Sequence, residues 1–206
     1  VQFYLKTFGT PAVAAYGVAL RVEQLFLLPV FGLTGALLPI AAQNFGANQS
    51  ERVRMALLTC WKFGWLFMFV ACPLLYFSAP LLMRSFTSDR AVIDIGVSYL
   101  RIDVFVLPIY MMLFAINSFL QALKRPIWTL LIGIYRQAFG VAFFSFVFVY
   151  VWGFGVVGVW YGIATSVLTG MILSLFIANQ VALPLVGGIF SGQETRKANI
   201  SNNHPI

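Results

Sequence analysis

The chain has 206 residues, of which 61% are hydrophobic and only 9% charged, with a net charge of +7 and a mean hydropathy of +0.90. A water-soluble domain of this size carries about 25% charged residues, so the composition excludes an ordinary soluble globule. Two cysteines and a single histidine, His204 in a polar tail, leave no metal cluster and no His-based catalytic set to assemble, so an enzyme is not expected.

The distribution of charge gives the architecture. No charged residue occurs for 27 residues at 24–50, for 21 at 63–83, for 20 at 104–123 and for 57 at 137–193. Crossing the hydrocarbon as a helix takes roughly 20 apolar residues. The first three runs therefore hold one span each, and the fourth, interrupted by Gly153, Gly155 and Gly158, holds most of two. Spanning strands would alternate polar and apolar residues over about ten positions, and these runs do not. The expectation is an all-α, polytopic transmembrane helix bundle, occupying residues 1–190. Its basic residues cap the spans, which makes membrane phospholipid, and not nucleic acid, their neighbour.

Residues 1–8 read as the end of a helix, in mid-pattern and without a signal peptide, so the chain reads as a fragment. Gly9-Thr10-Pro11 stops it and starts the next, with Thr10 at N-cap and Pro11 at N1. The second helix is expected at 12–45, longer than the bilayer core, with Pro29 as the favoured bend and Pro39 as a second hinge candidate. A polar turn follows, in which Asn48 and Glu51 have capping-box spacing. The third helix is expected at 50–83. It carries Cys60 and Cys72 about 18 Å apart along its axis, too far for a disulfide. A continuous fourth helix is expected at 89–123, a fifth opened by Pro126 at 126–152, and a sixth at 156–183. Residues 191–206 form a polar tail. Gly32-x-x-Gly35 and Gly158-x-x-x-Gly162 permit close helix approach.

Orientation follows from the loops. Those after the second and fourth helices, with the tail, hold Arg52, Arg54, Lys124, Arg125, Arg196 and Lys197; the opposite loops hold Lys6, Arg84 and Arg90. The positive-inside tendency puts the first set and the C-terminus in the cytoplasm, as for a multi-pass protein of a plasma (inner) membrane.

Ionisable residues within spans are costly and point to function. Arg21, Glu23, Arg101, Asp103 and Arg136 qualify. Arg21-Val-Glu23 and Arg101-Ile-Asp103 sit in the outer thirds of two helices that run in the same direction, so they share a depth. Residues two apart point about 200° away from each other, so neither Arg neutralises the acid on its own helix. Glu23 and Asp103 then either face a shared wet cavity, partnered by an Arg of another helix or by a transported cation, or tie helices together while the arginines reach for the surface. Arg136 lies deeper and either binds an anionic group or locks two helices. Asn117 and Gln121, four apart, share a face and line a substrate path or bond between helices.

The segment AVAAYGVALRVEQLFLLPVFGLTGALLPIAAQNFGANQSERV closely resembles the eighth transmembrane helix and following loop of multidrug and toxic compound extrusion transporters, the MATE family. QNFGA at 43–47 is its most distinctive part. SYLRI at 98–102 and FLQALKRP at 119–126 resemble the start and end of the family's tenth helix. The resemblance covers residues 1–183 and implies a transporter of two six-helix lobes, of which this chain is most of the second, its partner being the missing N-terminal lobe. It further implies export of cationic or amphipathic drug-like molecules in exchange for protons or sodium ions, with no cofactor. Departures limit what carries over. The acid of the family's first helix belongs to the missing lobe, and 111–121 holds no carboxylate, so Glu23 and Asp103 rest on burial alone. A lipid-linked oligosaccharide flippase of the same architecture, which favours a cationic cavity, and a non-transporting membrane scaffold are the alternatives.

Overall fold

The computed structural model describes residues 1–189; the expected tail at 191–206, with His204, lies outside the described residues. The chain is a helix bundle. After a short α1 (Gln2–Lys6), α2 (Thr10–Gly46) and α3 (Ser50–Phe86) form a long antiparallel pair, followed by α4 (Arg90–Asp103) and α5 (Leu107–Ala122). The next span is one helical rod of changing pitch: α6 (Pro126–Ile134), a π-helical stretch Tyr135–Gly140, α7 (Val141–Phe146) and a second π-helical stretch Val147–Val151. Finally α8 covers Gly155–Val186. Among the described residues, four helices or rods are long and apolar enough to cross a membrane, and five if α4 and α5 together make one crossing.

The buried residues of α2 recur at three- and four-residue steps, Ala12, Ala15, Ala19, Glu23, Leu27, Val30, Thr34, Leu37 and Ala41, with Val22 buried beside Glu23. The same spacing runs along α3 from Val53 to Met83. Each long helix thus presents one narrow seam to its neighbours, and α2 packs on α3, α4 and α5. The opposite faces stay apolar, with Phe69 and Phe77 each 80% exposed. Water would not tolerate such a surface, whereas lipid does.

Several local expectations are corrected. The fourth helix is not continuous: α4 and α5 meet at 58°, with the break at 104–106. Pro108 contributes to it. It has no N–H to give to Val104, and its ring would collide with that carbonyl, so the helix restarts with Pro108 in its first turn. Asn48 and Glu51 form no capping box. Gln49 occupies the N-cap of α3 without a side-chain bond, and Asn48 adopts φ 57°, closing α2 as a left-handed residue, a role that Asn tolerates. At the other end of α2 the N-cap is Gly9, at φ 91°, one residue earlier than expected. The proline positions leave α2 helical from end to end, with Pro29 and Pro39 inside it.

The two small-residue pairs separate. A Cβ on Gly158 would sit 2.9 Å from the Phe148 carbonyl oxygen, and one on Gly162 would collide with the backbone of Ser145. Here α8 and the fifth span touch backbone to backbone. Gly32 and Gly35, by contrast, have nothing within 4 Å to meet. Cys60 and Cys72 are both free thiols.

Loop contacts agree with alternating crossings. Arg54 Nε donates to the Ile189 carbonyl at 2.8 Å, so the start of α3 and the residues after α8 share one end of the bundle. Tyr4 Oη donates to the Ala142 carbonyl at 2.9 Å, tying α1 to the fifth span.

Candidate functional site

The polar interior of the bundle is built by spacing. Tyr16 and Glu23 are seven residues apart on α2, Tyr99 and Asp103 four apart on α4, and Tyr110, Phe114 and Asn117 follow at four- and three-residue steps on α5. Each set therefore lies along one helix face. The faces of α2 and α4 meet. Tyr99 Oη donates to Glu23 Oε2 at 2.5 Å, in an interior where Tyr99 is 3% and Glu23 6% exposed. Tyr16 stands edge-on to Tyr99, with centroids 5.5 Å apart, and stacks on Trp160 of α8 at 5.7 Å. Tyr99 meets the same indole at 4.9 Å. Three aromatic rings thereby wall one side of the Glu23 carboxylate.

Asp103 ends α4 beside this wall. It is 2% exposed, lies within electrostatic range of Glu23, and its Oδ2 is buried with no hydrogen-bond partner. From the fifth span, the guanidinium of Arg136 lies over the Tyr110 ring, 5.2 Å from its centroid, and within electrostatic range of Glu23. Its Nε is also buried without a partner. The π-helical stretch that holds Arg136 is fastened to α8, because Ser166 Oγ donates to the Arg136 carbonyl at 2.7 Å. Single π-helical turns inside transmembrane helices are frequent at functional positions.

Of the five charged candidates, the structure brings together Glu23, Asp103 and Arg136. It sends the other two away. Arg21 and Arg101 are exposed, and Arg101 rests on the outward Tyr76 ring at 5.3 Å. Among the described residues neither interior carboxylate has a cation within 4.0 Å; the ion pair found is Arg54–Glu51, at 3.7 Å on the surface. Asn117 is half-buried with its Oδ1 unpartnered, and the hydroxyl of Thr129 reaches its backbone carbonyl at 3.5 Å. Gln121 is exposed, one turn further along, as are Pro29 and Pro39 on α2.

Reasoning from charge alone passes over Tyr16, Tyr99, Tyr110 and Trp160. In a chain with 17% aromatic residues no single ring stands out. The usable signal is register, since two of the tyrosines stand one or two turns before an intramembrane acid.

Chemically, the cluster holds two carboxyl groups, one guanidinium and several phenol and indole faces. Among the described residues no group of three or more His, Cys, Asp or Glu side chains gathers as a transition-metal site would require. Two ionised carboxylates against one guanidinium would leave the cluster with one negative charge in excess.

The comparisons with known proteins extend this picture. The model of the MatE family matches residues 1–151. Among curated proteins, the FAD transporter of Shewanella oneidensis is 35% identical over 132 residues, which is 61% of this chain and 28% of that protein. The probable multidrug resistance protein NorM of Thermotoga maritima is 25% identical over 81% of this chain and 36% of its own length. The chain thus spans about a third of the length of such relatives. A transporter of the MOP superfamily from Pyrococcus furiosus superposes with a TM-score of 0.83 over 89% of this chain and 42% of that one, at 20% identity. The Vibrio cholerae MATE transporter VcmN in its bent form gives 0.81 over 89% and 41%, at 23% identity.

Proposed function

Because this chain belongs to the MatE family of multi-pass membrane proteins, we propose that it is the C-terminal lobe of a secondary active exporter, in which Glu23 and Asp103 exchange a proton or a sodium ion against substrate. The observation that carries this reading is the unpartnered Oδ2 of Asp103, buried beside a second carboxylate that a different helix supplies. Binding of the coupling ion there removes the excess negative charge, and its release restores it. Such a step biases the lobe between two arrangements only through its different affinity for each, which is how an ion gradient drives alternating access.

In this reading Arg136 acts as the fixed internal cation of the pair, Asn117 and Gln121 line the substrate path, and Pro29 and Pro39 give α2 its freedom to bend. The open space around Gly32 and Gly35 supports the last assignment. The substrates are amphipathic, drug-like molecules, held by aromatic and Met faces that accept varied shapes. The partner is an N-terminal six-helix lobe, and the charge count supports a plasma (inner) membrane location with a cytoplasmic C-terminus.

One relative favours a second reading of the substrate. The similarity to the Shewanella oneidensis FAD transporter supports an anionic aromatic cargo, for which Arg136 and the Tyr16–Trp160 stack offer a cation and ring faces. The oligosaccharide flippase reading asks for a strongly cationic interior, and of the three arginines Arg136 alone enters the interior of this lobe.

The test is efflux from proteoliposomes holding the whole transporter, with a fluorescent cationic dye or FAD as cargo and an imposed proton or sodium gradient. Glu23→Gln and Asp103→Asn abolish gradient-driven efflux while leaving the protein monodisperse. Full coupled efflux in both variants ends the proposal.

A further inference from the structure

The break in the fourth crossing leaves a groove on the outside of the bundle, backing onto the carboxylate cluster through Cys72 and Val104. It lies between α3 and the 104–106 break, has a volume of about 670 Å³, and falls within the roughly 300–1,000 Å³ typical of small-ligand clefts. Trp65, Phe69, Cys72 and Tyr76 form one wall, and Phe105 and Ile109 the other. The wall is apolar from end to end apart from one feature at its rim. Arg101 sets its guanidinium 5.3 Å above the Tyr76 ring. No carboxylate lies within 4.0 Å of it among the described residues, and Asp103, two residues on, points to the interior side of the helix.

The dimensions select the occupant. At about 1.5 Å per residue, the stretch from Tyr76 to Trp65 extends about 16 Å along α3. Half of a hydrocarbon core is about 15 Å. The groove is therefore as long as one leaflet is deep, and with Arg101 at the membrane surface its apolar end reaches the midplane. The cation also decides the headgroup: a guanidinium binds a lipid phosphate in a bidentate manner, and an anionic headgroup lacks the quaternary ammonium that Arg101 repels. We propose that this groove binds an anionic glycerophospholipid, with an acyl chain between α3 and the α4–α5 break and the phosphate on Arg101.

The test uses the whole transporter that contains this chain, in vesicles containing equal small fractions of phosphatidylglycerol or phosphatidylcholine, each with a photoreactive acyl chain, followed by peptide mapping. Adducts concentrate at 65–77 and 104–109. The anionic lipid is favoured about fivefold, as expected for one cationic side chain near the surface. Arg101→Gln brings the two lipids to parity, and Arg101→Lys restores part of the preference. Cys72→Phe fills the groove and removes both sets of adducts, while labelling elsewhere on the bundle is unchanged. Equal labelling of the unaltered chain by the two lipids overturns the proposal. So does an unchanged preference in Arg101→Gln, or displacement of the label by a cationic amphipathic dye.

Discussion

Replacing Tyr99 with Phe isolates one atom of the candidate site. The ring contacts with Tyr16 and Trp160 survive, and only the hydroxyl that donates to Glu23 at 2.5 Å is lost. Both residues are nearly inaccessible, so solvent does not replace the missing donor. Leaving a buried acceptor unsatisfied costs about 1–3 kcal/mol. For a chain of this size, each kcal/mol moves the thermal midpoint by about 2–4 °C, so Tyr99→Phe lowers it by about 2–12 °C. A double-mutant cycle with Glu23→Leu, which removes the acceptor, separates this bond from any general loosening. The pair shows a coupling energy of about 1–2 kcal/mol, against the roughly 0.3–0.5 kcal/mol within which independent sites add. Additive behaviour of the two substitutions would show that the hydroxyl does not hold the carboxylate, and the geometry drawn for the cluster would be wrong.

Gly162→Ala forces a methyl group into the Ser145 backbone and destabilises by about 1–3 kcal/mol, the range of overpacked sites. Gly35→Ala meets no neighbour and leaves the thermal midpoint of this chain unchanged or slightly raised. Equal losses in the two variants would refute the assignment of only one pair to a helix interface. Pro29→Ala returns an N–H to the Leu25 carbonyl, so the thermal midpoint rises. If α2 flexes at this point, gradient-driven efflux by the whole transporter falls in the same variant; unaltered efflux removes Pro29 from the mechanism.

The bundle is legible in the sequence because burial in lipid leaves a coarse signature. Uncharged runs of about 20 residues or more rarely occur outside a membrane, and the helices follow them. The break at 104–106 escapes the same reading although Pro108 announces it. Pro29, Pro39, Pro73, Pro80 and Pro184 all sit inside unbroken helices, so a proline in a membrane helix is a weak stop signal by itself. The capping box fails for a different reason. Its spacing matches, but Asn48 is already committed to closing α2. Close approach of Gly158 and Gly162, and the lack of it at Gly32 and Gly35, depends on where a neighbouring helix lies, which no pattern within one segment encodes.

The same distinction decides what the intramembrane acids mean. If Glu23 and Asp103 served only to tie helices, each would be expected to meet a cation or to have its oxygens filled by donors, since burying an unpaired carboxylate costs more than such a tie returns. The two arginines nearest in sequence face outward and do not supply that cation. Glu23 gains one strong donor from Tyr99, while Asp103 keeps a buried oxygen with none. Arg136 stands within electrostatic range of Glu23 but rests on an aromatic face. A cluster left one positive charge short has a use for a small exchangeable cation that a packing motif does not. On the proposed reading, the exchange takes place between two helices of this chain, α2 and α4, which carry Glu23 and Asp103.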